Sequence, residues 1–356
     1  MLDRSLPREG GHRDRDPLPG HTAAASSADP VSTKRERIAA LAAQMPDQAL
    51  FSLNHCLDRD LLLAACIRTR KDAAVGVDGE TYDDFREGGF ARLDELVSRA
   101  HDGTYFAPPV RRVYIPKGDS SQEMRPLGVP TFADKVLQRA VVMILEPIYE
   151  HDFHAGSYGY RPGKSAQQAI DDLRGWLIRK GGGWVLDVDV RKFFETIDHA
   201  HLREFLQRRV RDGVLLRLIG KWLNAGVLEE GAISYPDEGT PQGGVISPLL
   251  ANIYLHYVLD EWFEHEVKPV LAGEAKLIRF ADDFVLAFTH QRDAERVFAV
   301  LGKRFAKYGL TIHPEKTRLV RFTRPGRDDS DDDASGKPET SPRLFGTGFA
   351  HLPPNQ

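Results

Sequence analysis

Arg279-Phe280-Ala281-Asp282-Asp283-Phe284 is the stretch on which the reading of this chain turns. The runs 276–278 and 285–288 flank it, each short, apolar and rich in strand formers. The segment therefore reads as strand, two-residue turn, strand, with Asp282-Asp283 at the bend. Two adjacent carboxylates on a rigid tip repel each other, and a divalent cation commonly neutralises such a pair. Solvated turns also carry Asp-Asp, so the pair gains meaning only with a partner elsewhere.

Trp184-Val185-Leu186-Asp187-Val188-Asp189-Val190 supplies one. In a strand, Val185, Asp187 and Asp189 share a face by the period of two. Carboxylates inside so apolar a run are costly unless paired or bound to metal. Asp189 brought to the Asp282-Asp283 tip completes an oxygen cage for two Mg2+ ions, with Mn2+ as a substitute. Two ions roughly 3.5–4 Å apart activate an attacking hydroxyl and stabilise a leaving phosphate, which is the chemistry of a nucleotidyl transferase.

Three stretches follow one another: the Asp189 strand running into Phe193-Phe194, the run Gly239-Thr240-Pro241-Gln242-Gly243-Gly244-Val245-Ile246-Ser247-Pro248-Leu249-Leu250, and Phe280-Ala281-Asp282-Asp283. In this order they resemble motifs A, B and C of reverse transcriptases of the group II intron (maturase) type. The resemblance implies an RNA-directed DNA polymerase that joins a dNTP to the 3′-OH of a DNA or RNA primer on an RNA template, with a group II intron RNA as partner. It implies an α+β fold: right-hand polymerase fingers and an antiparallel palm sheet with helices on one face. Asp189, Asp282 and Asp283 become the catalytic, metal-holding residues, with Val190 beside them among the metal ligands.

Val110-Arg111-Arg112-Val113-Tyr114-Ile115-Pro116-Lys117 alternates like a strand and returns at Arg125-Pro126-Leu127-Gly128-Val129-Pro130. A basic hairpin suits a triphosphate, with Lys as a point charge and Arg as a fork. A solvated hairpin looks the same locally; the resemblance assigns the incoming nucleotide to Lys117 and Arg125. Phe194 is either a core ring or, as the resemblance implies, a gate that clashes with a ribose 2′-OH. The Gly-rich run at 239–248 lets backbone approach a ligand closely at a helix start, with Gln242 nearest the nucleotide and Pro241 and Gly243 along the template. It is not a Walker loop, which disfavours an ATPase. Ser157-Tyr158-Gly159-Tyr160-Arg161-Pro162-Gly163 resembles a template-path motif, with Arg161 its main contact. The segment around Lys316 resembles motif D and makes Lys316 a candidate general acid.

The 356 residues suggest two domains, and the formal charge of −4 means that nucleic-acid affinity must come from local Lys and Arg clusters. Cys56 and Cys66 lack zinc or disulfide spacing and read as reduced packing residues of a cytoplasmic protein. No run is long enough for a membrane span. The expected organisation is a disordered segment at 1–33, helices and fingers at 34–180, the palm at 181–323, and an acidic low-complexity end at 324–356. In the first part Ile38, Leu41 and Met45 form one helical stripe, Leu53, Leu57, Leu61 and Ala64 another, and residues 85–100 a further helix. Later, a helix at 249–266 and one at 294–308, with Val297, Val300, Leu301 and Phe305 inward, frame the hairpin. Residues 341–351 carry the letters of the family's primer-gripping hairpin in scrambled order, which implies a frameshifted or degraded end and a thumb largely missing. Two alternatives follow: an RNA-binding, intron-splicing remnant, and an RNA-templated RNA polymerase, against which Phe194 argues.

Overall fold

The computed structural model describes residues 29–116, 124–235, 238–240 and 243–323. The expectations placed on 1–28, Lys117, Pro241, Gln242 and 324–356 lie outside these residues. A long, largely buried helix, Phe132–Asp152, lies at the centre of the main core; it is started by the Thr131 side chain, which accepts from the Asp134 N–H. Val136, Leu137, Ala140, Val141, Leu145 and Ile148 on it are fully buried. The helices Pro30–Gln44 and Arg59–Arg68 pack on it.

Asp29 caps the first of these, so the helix begins inside the segment expected to lack structure. Its inward stripe runs through Val31, Ile38 and Ala42, and Leu41 is 45% exposed. An i+4 step from Ile38 falls on Ala42, which the larger Leu41 masks in the sequence. Asp58 caps the second helix, so Leu53 and Leu57 enter the core from the short turn before it. The helix expected at 85–100 is two, Tyr82–Glu87 and Gly89–Asp102, divided at Gly88.

Strands β1 (Val110–Pro116), β2 (Met124–Val129), β3 (Gly182–Val188), β4 (Val227–Glu229), β5 (Ala232–Ser234), β6 (Ala275–Phe280), β7 (Asp283–Phe288) and β8 (Arg318–Thr323) form two sheets among the described residues. The first has the order β2-β1-β4-β5; β1 and β2 pair antiparallel, while β4 joins β1 in parallel through Val110↔Val227 and Arg111↔Leu228. The second has the order β6-β7-β3-β8 and is antiparallel throughout.

Helices cover both faces of this second sheet, not one as expected. On one face Leu186, Val188, Leu277, Phe284, Leu286 and Phe288 join the main core. On the other, Val185, Ile278, Val285 and Ala287 close on Ala169, Leu173, Trp176 and Leu177 of the helix Ala166–Arg179. Strands that are apolar at successive positions, as β6 and β7 are, require cover on both sides. The helix Gln291–Ala306 seals the main-core face with Val297, Leu301 and Phe305, whereas Val300 is 45% exposed. Among the described residues no helix is long and apolar enough to cross a membrane. Cys56 and Cys66 are unpaired and buried, and burial pushes both thiols up, Cys66 to about 11.

The helix Ser247–Leu255 continues through wide π-type turns at His256–Asp260 and Phe263–Val267. His256, 3% exposed, stacks edge-on to Phe153. Burial lowers its pKa to about 4; the Asp260 charge resists that, and Arg279, His154 and Arg161 add to it. Its folded pKa lies below the unfolded value, so the unfolded chain takes the proton first. The stability held by neutral His256 is complete above about pH 6.5 and is lost as pH falls toward about 4. Between pH 7 and pH 5 this residue is expected to remove about 2 kcal/mol. Urea unfolding at both pH values, compared with His256→Asn, should show a smaller acid loss in the variant.

Candidate active site

Faces of the second sheet decide where its carboxylates go. The last pair of the β3–β7 ladder is Val188↔Phe284, so Asp189 and Asp283 are the next positions on two antiparallel neighbours. By the period of two, Asp187 and Asp189 share the face of Val185, and Asp283 shares that of Val285 and Ala287. That face is covered at its apolar end by the helix Ala166–Arg179; the carboxylates continue it past the cover.

The hairpin differs by one residue from its expected form. Phe280 pairs with Asp283, so the two-residue loop is Ala281-Asp282 and Asp283 is the first residue of β7. Ala281 takes φ +58°, a left-handed backbone that costs a residue with a Cβ about 1–2 kcal/mol. The neighbouring loop enforces it. Tyr158 N–H donates to the Arg279 carbonyl and Arg279 N–H to the Gly156 carbonyl, each at 2.8 Å, so this loop lies along β6 like an extra strand. Gly159 then sits against the turn so closely that a Cβ there would lie 2.1 Å from the Ala281 nitrogen.

Beneath the turn, Arg279 is fully buried. Its Nε and Nη2 donate to the Asp260 carboxylate at 2.9 and 2.7 Å, and its Nη1 to Asn252 Oδ1 at 2.8 Å and the Ala281 carbonyl at 3.0 Å. Asn252 in turn donates to the Gly159 carbonyl at 2.7 Å. One guanidinium thus fixes the turn from below and, through Asn252, the loop beside it. The sequence reading quoted Arg279 without giving it a role; a charged residue inside an apolar strand is the signal that marks it.

The electrostatics follow from this crowding. Asp282 and Asp283 are half-buried. Burial, then the charges of Asp282, Asp189 and Asp187, push Asp283 up to about 7. Burial also raises Asp282, against its own backbone N–H and the Arg125 charge. Asp187 is raised by burial and drawn back by Arg318, whose Nε lies 3.6 Å away; it is a fourth carboxylate that the sequence reading left out of the site. Asp189 faces Lys316 Nζ at 3.7 Å, and the segment before Lys316 clasps it: Arg191 N–H donates to the Thr311 carbonyl and His313 N–H to the Asp189 carbonyl, both at 2.8 Å. Val190, 7% exposed, bridges Ile312 within that clasp.

The carboxylates converge without closing, for among the described residues no three or more His, Cys, Asp or Glu side chains are gathered tightly enough to hold an ion as they stand. The donor set is nonetheless all oxygen, and one member, Asp283, is raised to about 7 by burial and then by the charges of its carboxylate neighbours. That chemistry fits a hard divalent cation.

The other expected residues divide. Arg125 is exposed at the start of β2, close enough for its charge to act on both Asp282 and Asp283. Phe194 is half-buried beside the buried Phe193, with ring centroids 5.4 Å apart, and its carbonyl accepts from Thr240 N–H at 2.7 Å. Gly243 takes φ +112° and lies against the Gly128 carbonyl, 2.8 Å from where a Cβ would be, so the Gly-rich run joins the Phe194 turn to β2. Arg161 is turned into the protein: Nε and Nη2 bond Glu150, Nη1 bonds the His154 and Ser157 carbonyls, and the side chain is 6% exposed. It braces the loop. Tyr158 is likewise internal, donating to Asp172 at 2.8 Å. Tyr160, 50% exposed at φ +56°, is the residue of this loop set beside the carboxylates; desolvation of its hydroxyl, then the Asp282 charge, raises its pKa.

A family model described as reverse transcriptase (RNA-dependent DNA polymerase) matches residues 115–343. The chain belongs to that family. It is 43% identical over 183 residues to the group II intron-encoded protein LtrA of Lactococcus lactis subsp. cremoris, a match covering 51% of this chain and 29% of LtrA. It is 35% identical over 257 residues to protein YkfC of Escherichia coli (strain K12), covering 70% of this chain and 66% of YkfC. Nuclear intron maturase 4, mitochondrial, of Arabidopsis thaliana is 28% identical over 202 residues, or 56% of this chain and 23% of that protein. The matched region thus spans under a third of LtrA and just under two thirds of YkfC.

Arg279→Gln is expected to destabilise the fold by about 3–5 kcal/mol, since it leaves the Asp260 carboxylate buried and unpaired. Adding Asp260→Leu should return much of that loss, because no lone charge then remains. Urea unfolding of both variants checks this, and equal stability of the two would refute it.

Proposed function

We propose that the chain is an RNA-directed DNA polymerase of the group II intron type, extending a primer on an RNA template with dNTPs. The observation that carries this reading is the convergence of Asp189, Asp282 and Asp283 at the uncovered end of one sheet face, in a chain of the reverse transcriptase family. Asp189, Asp282 and Asp283, with Val190 next to them, are the residues that would hold divalent cations. Two Mg2+ ions bound there would supply the charge neutralisation that phosphoryl transfer needs.

The remaining roles belong to the chain's own groups. The primer 3′-OH gives up its proton to water, its oxygen bonds to the α-phosphorus of the dNTP, the bond from that phosphorus to the bridging oxygen breaks, and pyrophosphate leaves. Arg125 and Lys117 bind the triphosphate on the first sheet's hairpin. Lys316, with its ammonium at Asp189, is placed to give the leaving pyrophosphate a proton. Phe194 stands under the sugar and selects deoxyribose, Gln242 contacts the nucleotide and the template base, and Pro241 and Gly243 follow the template. Tyr160 replaces Arg161 as the contact from its loop.

Primer extension on a short RNA template with Mg2+ tests the reading. The chain should extend with deoxynucleotides in preference to ribonucleotides, and Asp282→Asn should lower the rate by at least about 100-fold at unchanged thermal stability, the scale of loss for a group that supports transition-state charge. Extension that survives Asp282→Asn would remove the metal-site assignment. Absence of extension in folded, RNA-binding protein would favour the intron-splicing reading. Gly159→Ala provides a second check: its Cβ would collide with the Ala281 backbone, and extension should fall although no proposed catalytic group is altered.

A further inference from the structure

Away from the carboxylates, the helices His199–Arg209 and Gly213–Leu223 enclose an open groove of about 470 Å3. Arg203 and Gln207 line it from the first helix, and Arg217, Gly220, Lys221 and Asn224 from the second. Arg203 with Gln207, and Arg217 with Lys221, are each spaced four apart, so each pair shares a helix face. No Asp or Glu lines the groove among the described residues. The nearest acidic groups in sequence are engaged elsewhere: Glu204 pairs with Arg208 at 3.4 Å, and the buried Asp212 caps the second helix through Val214 and Leu215.

Two of the three cations are held in place by backbone carbonyls. Arg217 Nη2 donates to the His101 carbonyl at 3.1 Å, and Lys221 Nζ to the Gly103 carbonyl at 2.7 Å and to that of Tyr105. These contacts fix the position of the charge, and among the described residues Arg217 Nε and Nη1 make no hydrogen bond. Arg203 is exposed, lies over Gly220, and makes no hydrogen bond or ion pair among the described residues. Like charges four apart on a helix and across a groove oppose one another, and in a chain of net charge −4 such a concentration is a local departure from the whole. Three cations facing one groove, two of them held by backbone carbonyls and none opposed by a carboxylate among the described residues, match a run of phosphates.

We propose that this groove binds the phosphate backbone of an RNA outside the polymerase cleft, anchoring the folded RNA on which the chain acts. The inference rests on the reading of an RNA-directed enzyme for its choice of polyanion, but its test does not depend on catalysis. Anisotropy of a labelled, folded RNA is followed with the full chain carrying Asp282→Asn, over a series of salt concentrations. Combined Arg203→Gln, Arg217→Gln and Lys221→Gln should weaken binding and lower the slope of log affinity against log salt by about 2–3, at about 0.7–0.9 per lost phosphate contact. Because Arg217 and Lys221 also hold the turn at 100–105, Arg203→Gln alone is the variant that leaves internal contacts intact; its slope should fall by about one.

An unchanged slope in Arg203→Gln and in a folded triple variant overturns the proposal, as does a chain that binds no RNA. Pyrophosphate binding abolished by the three substitutions, with the RNA slope untouched, would make the groove an isolated anion site and also overturn it. Primer extension by the unsubstituted chain reports separately on the polymerase reading. That reading can fail while the salt slope still moves.

Discussion

A guanidinium with no access to water fixes the turn that carries Asp282 and Asp283. Arg279 has each of its three nitrogens bonded, two to Asp260 and one to both Asn252 and the Ala281 carbonyl. Desolvating an ion pair costs about as much as its attraction returns, so the pair adds little net stability. Its yield is geometric. A two-residue loop with Ala281 at φ +58° has other backbone solutions available, and the hydrogen bond to the Ala281 carbonyl from below selects this one. The Arg279 carbonyl also accepts from the Tyr158 N–H, so loop, turn and helix are all referred to one residue.

The placement of the carboxylates depends on an equally simple asymmetry. β3 and β7 bury residues on both faces for most of their length, and the helix Ala166–Arg179 covers only the part that is apolar. Where the cover ends, positions that would have been Val or Ile are Asp. Burial, and after it the crowding of like charges at that edge, raises Asp283 to about 7. The protein therefore builds up charge where its own structure stops shielding the sheet.

Much of this was legible in the residues. Asp187 and Asp189 inside an apolar run, and Asp282-Asp283 between two others, announced a strand pair with charge at its end, and the sheet register supports that. The turn was misplaced by one residue because Asp-Asp has the composition of a bend, while the left-handed Ala281 depends on Gly159 far away in sequence. Arg161 was read outward and is turned inward, since the sequence does not show that Glu150 and two carbonyls wait for it. Tyr158 and Tyr160 are alike in composition, yet one is internal and the other beside Asp282. The second covered face departs from the expected helices on one side, although the successive apolar positions of β6 and β7, visible in the sequence, already require cover on both.

The parallel pairing of β1 with β4 has a mechanical meaning. Val110 N–H donates to the Gly226 carbonyl at 2.8 Å, and the ladder continues through Val110↔Val227 and Arg111↔Leu228. The hairpin that presents Arg125 is thereby tethered to the end of the helix Gly213–Leu223. Any rotation of β1 and β2 toward the carboxylates must drag β4 and that helix along or tear the ladder. The two proposed contacts, triphosphate at the hairpin and RNA phosphates at the groove, would then sit on one lever, so that a pull at either would be felt at the other.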